Sequence, residues 1–199
     1  MHPAIRKTNR RITPALLLML GLLRAAPMDA APAPCGWPIE TTGTGASNIA
    51  YPDTDATYWT MPFDSSTWSA VRITGQFPLA RFMSFTAYDA QGGDATALLD
   101  ADIAPDAGSS NPFTPAGAGT SGGTYTITLL GPSGAAAPNT LLLPTQVGYV
   151  LLRVYVANEG LDRQGGVPLP QIVLIAADES ETALVACPEP TPGTGGTVQ

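Results

Sequence analysis

Residues 81–88 read Arg-Phe-Met-Ser-Phe-Thr-Ala-Tyr, a short run rich in aromatic residues that ends at a glycine-containing turn. Such a run is typical of a β-strand. The chain also contains 21 glycines and 20 prolines, which separate similar runs at short intervals. No stretch after the N-terminal leader carries a sustained helical stripe. The sequence therefore predicts one all-β domain, a two-sheet antiparallel sandwich of jelly-roll type. The six other predicted strands cover residues 58–63, 69–74, 124–130, 141–143, 149–156 and 171–176.

One short helix is expected in residues 95–103 or in residues 178–185, where acidic residues precede apolar ones. Residues 111–123 are rich in Gly, Ala, Ser and Pro and are predicted to form a loop. The C-terminal residues 188–199 read PEPTPGTGGTVQ, which offers nothing to bury, and we expect them to be disordered.

The N-terminus has the pattern of an export signal. Four basic residues precede the apolar run ALLLMLGLL at residues 15–23, and small residues follow as far as Ala33. The apolar run is too short to span a membrane. We therefore expect a signal peptide at residues 1–33, a sandwich domain at residues 34–187, no membrane span, and a secreted or periplasmic (extracytoplasmic) location.

Two cysteines remain after the leader, Cys35 and Cys187, and they stand near the two ends of the predicted domain. In an oxidising compartment an even pair of this kind predicts one disulfide. A redox pair or a thiolate metal site is the alternative, but the spacing matches no such motif.

The residues after the leader include no histidine and no lysine, so the commonest general base and neutral metal ligand are absent. Four arginines stand against 15 acidic residues, which gives a net charge of −11. This charge repels phosphate backbones and anionic lipids, so we predict no nucleic-acid partner. The four arginines are Arg72, Arg81, Arg153 and Arg163.

Two familiar motifs overlap in the predicted loop. Residues 119–123 spell G-x-S-x-G and residues 117–122 spell G-x-G-x-x-G. The first needs a strand, a helix and a histidine around it, and the second must follow a strand and open a helix. Neither context is predicted, so we assign no catalytic residue.

Five aspartates lie close together between residues 89 and 106. Clustered carboxylates on turns can bind calcium, and a suitably spaced pair can hydrolyse glycosides. Acidic turns that are simply solvated are the plainer interpretation, and we predict no metal and no cofactor. The five are Asp89, Asp94, Asp100, Asp102 and Asp106.

Two arginines fall inside apolar strands. Strand alternation places Arg81 on the same face as Met83 and Phe85, and Arg153 on the same face as Tyr155. A charge among such neighbours needs a partner.

The partner could be an acid of the protein itself, with Asp89 the natural choice, or the carboxylate of a ligand held in a bidentate fork. Nearby aromatic residues would then line a cleft or a sugar-stacking platform. The predicted ligand-binding residues are Arg81, Arg153, Tyr155, Tyr58 and Trp59.

Several of these segments resemble a group of uncharacterised bacterial secreted proteins. The spacing from the Arg-Phe-x-Ser-Phe strand to the later Leu-Arg-Val-Tyr strand is also distantly similar to a jelly-roll-like domain, the C-terminal half of a two-domain family of unknown function. Both resemblances imply a β-sandwich, and neither implies an activity or a functional residue. The matching segments are residues 51–53, 56–59, 81–85, 88–89, 111–113, 152–156 and 165–170.

The sequence thus favours an exported, non-catalytic module that binds a small molecule, a glycan or a protein. A carboxylate-based extracellular hydrolase or lyase, with or without calcium, is one alternative. A structural protein of the envelope or extracellular matrix is the other, and it would present an open strand edge or an apolar patch.

Overall fold

The computed structural model describes residues 35–43, 53–93 and 95–188. Ten β-strands and one 3₁₀ turn make up the regular structure of these residues, and the seven predicted strands are among the ten. The strands are β1 (Ile39–Thr42), β2 (Ala56–Asp64), β3 (Ala70–Gln76), β4 (Ala80–Asp89), β5 (Ala95–Leu99), β6 (Thr124–Leu130), β7 (Thr140–Leu142), β8 (Val147–Ala157), β9 (Gln171–Ile175) and β10 (Glu181–Leu184).

The strands form two sheets of five, and the predicted all-β, sandwich-like architecture is confirmed. We call β1-β2-β8-β4-β5 the front sheet and β10-β9-β3-β6-β7 the back sheet. Every pairing between the named strands is antiparallel except that of β6 with β7, which is parallel. β8 is the central strand of the front sheet and pairs with β2 on one side and β4 on the other.

The core lies between the sheets, and strand alternation decides which residues enter it. In β8 every second residue from Gly148 to Val154 is buried, and Val150 is fully inaccessible. Phe85 of β4 meets Tyr125 of β6 edge to face across the core, with ring centres 5.8 Å apart. Since successive side chains point to opposite faces of a strand, the intervening residues lie on the outer faces of the sheets.

The predicted short helix is wrong, because both candidate segments contribute edge strands. Residues 95–99 pair with β4, and only the residues Asp100–Asp102 after them form a single 3₁₀ turn. In residues 178–185, the Asp178 carboxylate accepts hydrogen bonds from the backbone N–H and the hydroxyl of Ser180. This turn directs the chain into β10, which pairs with β9. Main-chain pairing with distant strands thus outweighs the weak local helical pattern.

The predicted disulfide is confirmed: Cys35 and Cys187 are bonded and close a loop with a sequence separation of 152 residues. The neighbouring residues Gly36 and Ala186 form an isolated parallel bridge that continues this junction. The predicted signal peptide and all of the predicted tail except Pro188 lie outside the described residues. Within the described ranges, no helix is long and apolar enough to cross a membrane.

Candidate ligand-binding face

Arg153 lies on the outer face of the front sheet, surrounded by three aromatic rings. The backbone register places it directly opposite Tyr58 of β2, and it places Phe82 of β4 opposite Tyr155 of β8. The guanidinium carbon is 5.5 Å from the centre of the Tyr58 ring, 5.7 Å from that of Phe82 and 5.1 Å from that of Tyr155. We call these four residues the arginine cage.

The arginine cage stabilises its cation without an acid. Arg153 forms no ion pair or hydrogen bond with any described residue, and its Nε is buried without a hydrogen-bond partner. The electron-rich faces of the rings attract the guanidinium by cation–π interaction, while the half-buried position removes part of its hydration. The terminal nitrogens of the fork therefore retain hydrogen-bonding capacity for another molecule.

Two other arginines form ion pairs. Arg72 holds Glu181 in a bidentate pair on the back sheet, with N–O distances of 2.7 and 2.5 Å. The hydrogen bonds of this pair raise the pKa of Arg72 and lower the pKa of Glu181. Arg163 contacts Glu40 at 2.7 Å. Arg153 thus differs from both in having aromatic rings where they have a carboxylate.

Asp89, the acid expected to pair with the strand arginines, forms hydrogen bonds in the turn after β4 instead. Asp89 lies opposite Gly148, at the far end of the β4–β8 ladder from the arginine cage. Its carboxylate accepts hydrogen bonds from the backbone N–H groups of Gln91 and Gly93, which organises the turn after β4.

The structure brings together three of the five predicted ligand-binding residues, Tyr58, Arg153 and Tyr155. Trp59 is 2% exposed and its ring lies in the core, because it directly follows Tyr58 and so points to the opposite face. Arg81 directly precedes Phe82 near the start of β4 and is exposed, so it does not lie on the core side with Met83 as strand alternation would require. It forms no ion pair with a described residue.

Sequence reasoning missed Phe82. It is two residues before Ser84, which lies opposite Arg153 in the ladder, so Phe82 shares the outer face. Strand alternation in β4 already separates Phe82 from the core residue Met83. Only the register between β4 and β8, however, shows that Phe82 lies beside the arginine.

A second aromatic pair lies on the same face, at the other end of β4 and β8. Tyr88 and Tyr149 stand directly opposite each other, and their rings stack with centres 5.3 Å apart. The pKa of the Tyr149 phenol is raised, mainly by burial and further by Tyr88 and by the nearby Asp89. Tyr149 is therefore a neutral hydrogen-bonding group at ordinary pH.

The surface between the arginine cage and the tyrosine pair carries hydroxyl and apolar side chains. Thr86 lies on β4, with Leu151 on β8 and Thr60 on β2, whereas Ser84 of β4 is buried. None of the described residues between the two aromatic groups on this face is acidic. The outer face of the back sheet, by contrast, carries the Arg72–Glu181 pair.

The aspartates proposed as calcium ligands are dispersed or engaged with the backbone. Asp100 accepts hydrogen bonds from the N–H groups of Met83 and Ala101. Across the described residues, no three His, Cys, Asp or Glu side chains are grouped as a metal ion requires. Asp94 lies outside the described residues.

The G-x-S-x-G segment lies in an exposed loop that leads into β6, as expected. Ser121 lines an open groove of about 390 Å³. Thr120 donates its hydroxyl to the carbonyl oxygen of Gly117, which holds the loop in a turn. No charged residue lines this groove. Its other lining residues are Pro78, Leu79, Ala80, Pro112, Phe113, Gly119, Thr120 and Asn158.

No protein-family model and no curated protein matches the chain. Among solved structures it is similar to an uncharacterized protein from Burkholderia cenocepacia, with 17% identity and a TM-score of 0.44 over 80% of this chain. It is also similar to the VPA0106 protein from Vibrio parahaemolyticus, with 20% identity and a TM-score of 0.44 over 65% of this chain. The matches cover 38% and 33% of those chains, so this chain spans only about a third of their length.

Proposed function

We propose that the protein is an exported, non-catalytic module that binds a small molecule, a glycan or a protein through the arginine cage. The observation that carries this proposal is the half-buried guanidinium of Arg153, which has aromatic neighbours and no described acid. The binding residues are Arg153, Tyr58 and Tyr155 from the sequence prediction, with Phe82 added.

The chemistry of the cage selects an anionic group. A cationic ligand is disfavoured, because the space between the rings already holds the protein's own cation. A carboxylate matches the planar fork of an arginine and forms two parallel charge-assisted hydrogen bonds with it. The rings that surround the guanidinium would shield those bonds from water and strengthen them.

The export component of the proposal rests on residues 1–33 and on the disulfide. A structural disulfide is typical of an oxidising, extracytoplasmic compartment. We further propose that the sandwich is of jelly-roll type and that the chain is related to the uncharacterised bacterial secreted proteins it resembles. The carboxylate-based enzyme has less support, because Asp89 and Asp100 bond to nearby backbone N–H groups rather than facing a common groove.

A thermal-shift experiment with glucuronate, benzoate and their uncharged counterparts glucose and benzyl alcohol tests the proposal. The purified protein should be stabilised by the carboxylates in a concentration-dependent way and much less by the neutral compounds. Arg153→Gln should lose this stabilisation.

Arg81→Gln is the matched control, since it removes the same charge from an exposed arginine without a described ion pair. It should keep the shift. An equal response of the two variants, or no carboxylate response in the unmodified protein, would overturn the proposal.

A further inference from the structure

We infer that the ligand of this face is an extended glycan with a carboxylated sugar, which lies along β4 and β8 from the arginine cage to the Tyr88–Tyr149 pair. This inference rests on the proposed function and adds the class and the extent of the ligand. It assigns the tyrosine pair, which the sequence prediction did not include, as a second binding subsite.

The two aromatic groups define a straight track. Phe82 and Tyr88 are six residues apart on β4, and Tyr155 and Tyr149 are six residues apart on β8. Arg153 itself is four residues from Tyr149, so at about 3.3 Å per residue the subsites are separated by about 13–20 Å. A monosaccharide cannot contact both, whereas a linear oligosaccharide can.

The side chains of the track match a chain of sugar rings. Aromatic rings at each end can pack against the apolar C–H faces of sugars, and tyrosine adds a polar group at the ring edge. Half-buried Thr86 and Thr60 supply hydroxyl groups between them. The middle of the track is occupied by Leu151, which is half-buried and uncharged.

Charge complementarity places the carboxylated sugar at the cage end. Arg153 is the cation of the track, no described residue between the two aromatic groups is acidic, and Asp89 lies at the tyrosine end. The acidic protein as a whole repels densely charged polymers. A glycan in which carboxylated sugars alternate with neutral ones therefore suits the face better than one charged at every unit.

A peptide fits this surface less well. β4 and β8 are interior strands, and over Ser84–Tyr88 β4 already pairs on both sides, so a peptide cannot extend the sheet along that stretch. A second copy of the chain is also disfavoured. In a two-fold face-to-face dimer centred on the cage, Arg153 would be buried against a second cage that has no described acid, which leaves the charge unpaired.

Isothermal titration calorimetry with a hyaluronan hexasaccharide, its carboxyl-reduced form and free glucuronate tests the inference. The hexasaccharide should bind at least about tenfold more tightly than glucuronate, because it reaches both subsites. Carboxyl reduction should weaken binding by about tenfold or more, the usual effect of losing charged hydrogen bonds.

The variants separate the two subsites. Arg153→Gln should weaken the binding of both the hexasaccharide and glucuronate. Tyr149→Ala should reduce the affinity for the hexasaccharide toward that for glucuronate and leave glucuronate binding unchanged. Tyr88→Ala provides a second variant of the same subsite if Tyr149→Ala folds poorly. Arg81→Gln should behave like the unmodified protein.

The failures of the two proposals are distinguishable. If glucuronate binds in an Arg153-dependent way but the hexasaccharide gains nothing, the glycan inference is overturned and the proposed function stands. The glycan inference is likewise overturned if a peptide ending in a free carboxylate binds through Arg153 and no glycan does. If no carboxylate binds, both proposals fall.

Discussion

Arg153 and Tyr58 face each other across the β2–β8 ladder, with the guanidinium carbon 5.5 Å from the centre of the tyrosine ring. This pairing links the most central strand of the front sheet to an outer-face cation that has no described acidic partner. A residue selected for stability alone would be expected to satisfy its buried Nε. We therefore expect Arg153 to matter less for the stability of the fold than for the binding of a ligand.

Arg153→Met should leave the stability of the unliganded protein nearly unchanged. Each exposed cation–π contact contributes about 0.5–1 kcal/mol, and an unsatisfied buried donor costs about 1–3 kcal/mol, so the two effects largely offset each other. Urea denaturation should give a free energy of unfolding within about 1 kcal/mol of the unmodified protein. A loss above about 3 kcal/mol would show that Arg153 is needed for the fold rather than for a ligand.

Removal of the disulfide should destabilise the protein strongly. Closure of a loop with a sequence separation of 152 residues lowers the entropy of the unfolded chain, which corresponds to about 5 kcal/mol in the chain-entropy treatment. The Cys35→Ser, Cys187→Ser double variant should show a large fall in the guanidinium midpoint, and reduction of the unmodified protein should reproduce it. An unchanged midpoint in both would contradict this account.

Strand positions were predictable from the sequence because the long strands carry strong patterns. In β8, buried and outer-face residues alternate clearly, and this alternation correctly groups Arg153 with Tyr155. β5 and β10 lack such a pattern: three of the four residues of β10 are exposed, and so are four of the five residues of β5. Their conformation depends on pairing with β4 and β9, which local sequence does not encode.

The candidate site was only partly predictable for a related reason. Tyr58 and Trp59 are consecutive in one strand, so they cannot both face the same ligand, and the alternation already excluded one of them. Phe82 and the Tyr88–Tyr149 pair depend on the register between β4 and β8. A shift of one residue would exchange the faces, and the sequence alone does not specify which strands are neighbours.

Val156→Gly should stabilise the protein. Val156 has a φ of 50°, a left-handed conformation that strains a β-branched residue. It is also 36% exposed, so its side chain contributes less packing than the core valine Val154, which is 4% exposed. Relief of this strain should raise the free energy of unfolding by about 1 kcal/mol, measured by chemical denaturation.

Val154→Gly is the control in the same strand. Val154 is 4% exposed and belongs to the core, and it does not share the positive φ. This variant should be clearly destabilised by the loss of its packing. Equal destabilisation of the two variants would show that the backbone at Val156 is not strained.

Tyr125 should make the protein lose stability at alkaline pH. Its side chain is 1% exposed, and burial raises its pKa far above the usual tyrosine value of about 10. The unfolded chain therefore releases this proton first as the pH rises. The folded state is fully favoured below pH 10 and is progressively destabilised above it. In Tyr125→Phe, the free energy of unfolding should fall less steeply between pH 9 and pH 11, whereas identical slopes in the two proteins would contradict the assignment.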